Sequence, residues 1–240
     1  MKNSHRRFTT LSIVLFSIGI ATGMFFYGFS FWADFEASLF DAGLEGDAGL
    51  SNLHCPLFLG KNETGEIYLK IKNPLARAIA PRIRAHISDG FVSMMREINS
   101  QPSLSQGESQ TLEWDITSND AVWNRFILVR VYQFPVYPEP SRSATCGIVL
   151  ASLPLPGVLI TGLLVAVSLL GMGSGVWLYR YTNRPLKDRQ RSTMIAMTIL
   201  GTTVTIGIVA ALLGQLLVTM LLTIISVLLV VVLLGYFLNR

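Results

Sequence analysis

Three stretches of this chain, residues 8–32, 143–179 and 193–238, contain no acidic or basic side chain at all. No other feature restricts the fold as strongly. About 20 consecutive apolar residues cross the hydrocarbon core of a bilayer as a helix, because a helix satisfies every backbone polar group internally. Only 14% of the 240 residues are charged, against about 25% in an ordinary soluble domain. The sequence predicts a polytopic membrane protein.

The first span is placed at residues 8–32, after a cytoplasmic N-terminus at 1–7 that carries Lys2, Arg6 and Arg7. A basic start followed by an apolar run is also the signature of a cleaved signal peptide. An uncleaved helix is the expectation, because the run ends in the aromatic-rich FFYGFSFW and no small-residue cleavage site closes it. Tyr27 and Trp32 suit the membrane–water interface. The second span is placed at 155–179, with Trp177 and Tyr179 as its anchors.

Residues 180–192 then carry Arg180, Arg184, Lys187, Arg189 and Arg191 against the single acid Asp188. This is the strongest positive-inside signal in the chain. The apolar remainder is too long for one helix and divides into spans at 193–213 and 216–238, with a reversal near Gly214 and Gln215. Residues 239–240 then share the cytoplasmic side with 180–192 and the N-terminus. Residues 33–152 fall outside, and the expected location is the cell membrane.

The formal net charge of +4 conceals two opposite populations. Residues 33–152 hold fourteen acids and ten Lys/Arg, whereas nine Lys/Arg and one acid lie beside the spans. Basic residues in that position set orientation, so the basic balance does not imply a nucleic-acid partner.

The outer segment is expected to begin with a juxtamembrane linker at 33–52, acidic and rich in Ala and Gly, with room for one short helix. Residues 53–152 read as strands. GEIYLKIK sets Ile67, Leu69 and Ile71 on one face, and RIRAHIS sets Ile83, Ala85 and Ile87 opposite Arg82, Arg84 and His86. TLEWDI aligns Leu112, Trp114 and Ile116. Period-two alternation of this kind marks half-buried strands. His86 is expected on the solvated face. FILVRVYQ, without clean alternation, suits a central strand. Six or seven short strands separated by turn residues point to a β-sandwich of immunoglobulin type. The fold class expected is a membrane α-helical bundle of four transmembrane helices carrying an all-β Ig-like sandwich ectodomain.

The stretch CPLFLGKNETGEIYLKIKNP, followed by LSQGESQTLEWDI, resembles the bacterial Ig-like adhesion-type domains of surface proteins over about 100 residues. That resemblance implies a sandwich fold and a binding or spacer role rather than a reaction.

The two cysteines, Cys55 and Cys146, are expected on the first and last strands, on the oxidising side of the membrane where disulfides persist. A structural disulfide is the expectation, with metal ligation and free thiols as the alternatives. Two cysteines without a Cys-x-x-Cys pair do not make a thioredoxin-like centre, and His54 and His86 are the only histidines outside. Closing a loop of about 90 residues contributes roughly 4 kcal/mol in the chain-entropy description, and less where both ends of the loop are anchored.

The four spans contain no Asp, Glu, Lys, Arg or His. Proton relays, ion paths and buried haem ligation need such groups, so a self-contained pump, redox carrier or intramembrane hydrolase is excluded. Small residues recur four apart at Gly19 and Gly23, Gly171 and Gly175, and Ala210 and Gly214, a spacing that allows close helix approach. Within one bundle or against a partner subunit, these are the candidate packing positions. The GMGSG run lies inside a span and is no phosphate loop. Asn62-Glu63-Thr64 matches a glycosylation acceptor, relevant only in a eukaryotic secretory pathway.

The expected function is therefore non-enzymatic: a membrane scaffold, adhesion module or accessory subunit that presents the outer domain and needs no cofactor, catalytic residue or metal. Its partners are the lipid bilayer and another membrane protein or a second copy. The alternative is the permease component of an ABC transporter. One span, a large outer domain and three further spans looks like the layout of macrolide-exporter-type permeases. The 180–192 loop would then couple to an ATPase. The long stalk helices of that family are not evident in the sequence. Claudin- and tetraspanin-like four-span proteins form a third, minor comparison, since their outer-loop signatures are absent.

Overall fold

In a computed structural model, residues 2–185 and 188–238 are described. They form two compact units, one of Trp32–Ile160 and the other of Met1–Phe31 with Thr161–Arg240.

The helical unit draws on four helices, α1 (Lys2–Leu39), α2 (Gly157–Thr182), α3 (Asp188–Leu212) and α4 (Leu216–Leu238). Gly19 and Gly171 meet where α1 crosses α2: a Cβ at Gly171 would lie 2.9 Å from the Gly19 Cα. Ser168 donates its hydroxyl to the Gly19 carbonyl at 2.8 Å. A side chain at either glycine would push the helices apart. Gly214 ends α3 with φ +64, and the Gln215 N–H bonds the Ala210 carbonyl at 3.0 Å. A left-handed residue there closes the last turn of a helix, and α4 follows at once.

Nine strands build the other unit: β1 (Ala48–Gly49), β2 (Leu53–His54), β3 (Phe58–Gly60), β4 (Gly65–Lys72), β5 (Ile83–Asp89), β6 (Phe91–Ser100), β7 (Ser109–Ile116), β8 (Phe126–Gln133) and β9 (Arg142–Ala151). They form a sheet ordered β1-β9-β8-β5-β6, with β3 also on β9, and a second sheet ordered β2-β4-β7. One core lies between the sheets. Ile67, Leu69, Ile71, Trp114 and Ile116 enter it from one side, and Ile83, Ala85, Ile87, Ile127, Val129, Val131 and Ile148 from the other. The alternation seen in the sequence is thus the inward face of β4, β5 and β7.

The expected fold class, four transmembrane helices with an all-β Ig-like sandwich, needs correction on both counts. Among the described residues three helices are long and apolar enough by length and composition to cross a membrane, Arg7–Leu39, Gly157–Thr182 and Gln190–Leu212, with a shorter apolar stretch at Leu216–Val232. The β unit is also not all-β and not uniformly antiparallel. β1 and β3 both pair with β9 in parallel. A hydrophobic period reveals a strand but not the direction of its neighbour. Here the chain reaches β9 twice from the same end, crossing to the other sheet at β2 between the two visits.

The segment 33–52 is not a linker. α1 runs 38 residues, about 57 Å at the usual rise, well beyond the charge-free stretch that ends at Trp32. Its last turns belong to the β unit. β6 escaped the sequence reading because FVSMMREINS does not alternate. It is an edge strand, exposed along most of its length, so no buried face imposes a period on it.

Candidate functional site

The face of the larger sheet turned away from the core carries Arg84, His86 and Ser88 on β5, Leu128 and Arg130 on β8, and Gly147 and Val149 on β9. Residues 33–47 lie across it. This reverses the expectation for His86, which is 5% exposed rather than solvated. The sequence showed its strand face correctly, but the cover comes from a segment read as linker.

Arg130, also 5% exposed, closes the end of α1. Its Nε donates to the Phe40 carbonyl at 2.7 Å, one terminal nitrogen to the Ser38 carbonyl at 2.8 Å and the other to the Leu44 carbonyl at 3.2 Å. A helix leaves its last four carbonyls without intrahelical donors and carries partial negative charge at that end. A rigid cationic fork satisfies both needs at once. Burial lowers the Arg130 pKa from its ordinary value, and the carboxylates of Asp41 and Glu45 oppose this.

Asp41 has φ 47, which turns the chain out of the helix. That turn aims its Oδ2 at His86 Nδ1, 2.6 Å away. His86 Nε2 lies 3.4 Å from Glu97 Oε2, in a direction that makes no hydrogen bond. Glu97 is held instead by the Asn99 amide at 2.6 Å and Arg84 Nε at 3.0 Å. The nearby Ser88 hydroxyl donates to the Asp120 carbonyl and accepts the Leu128 N–H. Arg130 and Ser88 are thus spent on backbone groups, while Asp41, His86, Glu97, Asn99 and Arg84 engage one another's side chains.

Two glycines allow close approach. A Cβ on Gly147 would stand 2.0 Å from the carbonyl carbon and oxygen of Ala33. The helix can therefore lie on β9, with the Gly147 N–H donating to Asp34 Oδ1 at 3.0 Å. Burial pushes the Asp34 carboxyl up to about 6, against the lowering influence of that hydrogen bond. At the start of α2, a Cβ on Gly157 would stand 1.8 Å from the Phe58 carbonyl oxygen. Glu63 Oε2 accepts the N–H groups of both Gly60 and Gly157 at 2.7 Å, placing a carboxylate at the positive end of that helix. Glu63 thus has a structural task inside the sequon, while Asn62 is exposed.

Cys55 and Cys146 are joined in a disulfide. Cys146 sits on β9 as expected, but Cys55 lies between β2 and β3 rather than on a strand. The bond therefore ties the passage between the two sheets to β9, beside the core.

The remaining candidate positions fall in the helical unit. Gly23 faces Ser168 and Val204, and Gly175 faces Phe16. Ala210 is buried. Gly214 has no neighbour in reach of a Cβ and acts in the turn instead of in packing. Arg180 belongs to the last turn of α2, Arg184 precedes a cis proline, and Arg189 and Arg191 begin α3. Lys187 lies outside the described residues, as do 239 and 240. No group of His, Cys, Asp and Glu among the described residues is arranged to hold a metal ion.

Fold and site together define a disulfide-bonded two-sheet β unit into which one apolar helix enters and from which another leaves. No family model and no curated protein matches the chain. Among solved structures, the β unit is similar to the CARDB domain of a Pyrococcus furiosus protein, solved in complex with di-metal ions. That match has 17% identity and a TM-score of 0.34, over 45% of this chain and 90% of that one. It is also similar to part of a β-glucosidase from Listeria innocua, with 19% identity and a TM-score of 0.29, over 44% of this chain and 16% of that one. A Paenibacillus cycloisomaltooligosaccharide glucanotransferase matches at 11% identity and 0.33, over 45% and 14%. These likenesses are weak and concern a β domain.

Proposed function

We propose that this protein is a non-enzymatic membrane scaffold or accessory subunit that holds its β unit on the extracytoplasmic side of the cell membrane. The observation that carries the reading is the clasp on the two helix ends. Arg130, Asp34 and Asp41 secure the incoming helix, and Glu63 secures the outgoing one. The charged side chains of Arg130, Asp34 and Glu63 are committed to backbone groups, and that of Asp41 to His86. The disulfide supports an oxidising compartment, and the basic residues at 180–192 support the opposite side for that loop.

In this role the protein needs no cofactor. Its partners are the bilayer and another membrane protein or a second copy. The test is cross-linking in native membranes followed by gentle-detergent purification. A defined membrane protein, or a second copy, joined in fixed ratio through residues of the β unit supports the reading. A monomer with no cross-linked neighbour overturns it. An ATPase joined through residues 180–192 would replace it with the transporter layout.

A further inference from the structure

One edge of the β unit is apolar in a way its core does not require. Ile87 pairs with Val129, Val129 with Cys146, and Phe126 with Val149. Continuing that register brings the β5–β6 turn at Gly90, the start of β8 and the end of β9 to a common rim. At the rim Phe91 is 66% exposed and Met94 56%, with Val92 and Met95 also exposed. No charge interrupts residues 90–95. The β5–β6 ladder passes from the Ser88 and Met95 pair directly to Asp89 and Phe91, so residues 92–94 form a bulge of β6 with no partner on β5.

Trp123 joins them. It precedes β8 by three positions, in a turn closed by the Arg125 N–H on the Val122 carbonyl at 3.0 Å. Trp123 and Asn124 both have left-handed φ, 52 and 54. For a bulky residue that conformation costs about 1–3 kcal/mol and survives only where its surroundings impose it. The strain holds an indole 57% exposed rather than folding it inward.

This is also the rim where the apolar helices attach. Going along α1, Asp34 lies at Gly147 and the Phe40 carbonyl at Arg130, which pairs with Thr145. The helix therefore climbs away from the rim after Trp32. At the other connection β9 ends at Ala151, and α2 begins at Gly157 beside Phe58.

We infer that Phe91, Val92, Met94 and Trp123 form an interfacial foot that seats the rim in the outer leaflet of the bilayer holding α1 and α2. The chemistry is that of a lipid surface. Apolar side chains enter the headgroup–acyl boundary to a depth on the order of 5–10 Å, the indole occupies the level Trp prefers, and the exposed Arg125 meets headgroup phosphate. Asp89, exposed beside the tip, keeps insertion shallow. The inference rests on the membrane reading under Proposed function.

The test places an environment-sensitive fluorophore on Val92→Cys in the full chain, reconstituted in lipid nanodiscs. Tyr137→Cys, at the opposite end of the sheet, and Leu170→Cys, exposed on α2, serve as references. The foot requires Val92→Cys to be quenched by shallow spin-labelled lipid and shielded from iodide, with Tyr137→Cys showing the reverse. Iodide quenching at Val92→Cys overturns the foot, and so does shielding from both quenchers, which would mean a protein covers the rim. If Leu170→Cys also escapes lipid quenching, the membrane reading itself fails. Lipid quenching at Leu170→Cys alone confines the failure to the foot.

Discussion

The Arg130 side chain donates to the Phe40 carbonyl across 90 positions of sequence, so the middle strand of the larger sheet terminates the first helix. The strand and the helix end thereby depend on one another. Residues 33–40 have no independent reason to stay helical once α1 leaves its charge-free stretch, and the outer face of β8 has no other cover.

Replacing Arg130 with Met should lower the stability of the β unit by about 3 kcal/mol, since three carbonyls lose a charged donor while still covered. Arg130→Lys should recover little, because one ammonium cannot reproduce a three-way fork. Hydrogen exchange on the full chain in detergent checks this. Protection should be lost first at residues 36–44, ahead of the β4 and β7 strands.

Asp34 supplies a pH dependence of definite sign. Burial pushes its folded-state pKa up to about 6, above the ordinary range of an aspartate. Below pH 4 the group is protonated in both states and has no effect. As pH rises from 4 towards 6 the folded state alone retains the proton, so this group's contribution to stability falls, and it levels off above 6. Asp34→Asn should remove that slope and be more stable than the parent at pH 7, because the amide oxygen can still accept the Gly147 N–H. Unfolding midpoints for both proteins from pH 4 to 7 decide the matter. An unchanged difference across that range would refute it.

Removing the disulfide as Cys55→Ala with Cys146→Ala should cost up to about 4 kcal/mol, the chain-entropy value for a loop of this size. The chain on both sides of this loop continues into apolar helices that stay anchored in detergent or lipid when the β unit unfolds, so a smaller loss is expected. Denaturant midpoints of the parent and the double variant in the same detergent measure the loss. A loss above about 4 kcal/mol would show that the bond also supports the folded core beside it.

Gly171→Leu tests the helical unit. With 2.9 Å between the added Cβ and Gly19 Cα, α1 and α2 must separate, and the Ser168 hydroxyl loses its acceptor. Overpacking of this kind costs about 1–3 kcal/mol. Gly173→Leu, where nothing lies within reach of a Cβ, should be tolerated. Thermal melts in one detergent compare them directly.

Local rules made part of this architecture readable. The absence of charge from 8–32, 143–179 and 193–238 announced apolar helices, and strict alternation placed Ile67, Ile83 and Trp114 on inward faces. Where a rule had nothing to act on, the reading failed. β6 has no buried face and so no period. Residues 33–39 carry charges that suggest water, yet they continue a helix because Arg130 and Gly147 receive it. His86 alternates with core positions and looked solvated, since its strand gives no hint of a second layer above.

The clasp is the clearest case of this limit. Arg130, Asp34, Asp41, His86 and Glu63 are scattered over a hundred positions and match no spacing motif. A single sign was present in the sequence: Arg130 interrupts an otherwise apolar central strand, and an arginine there must find acceptors. Their identity could not be inferred.

What the sequence by itself determined is the class of surroundings each segment needs, because the free energy of moving a side chain between water, lipid and a protein core is a property of that side chain. The tertiary structure alone decided which strands run parallel, that the helix outlasts its apolar stretch, and which carbonyls Arg130 meets. Those outcomes depend on the direction of a neighbouring chain and on donors that arrive from 90 residues away, and no local pattern encodes either.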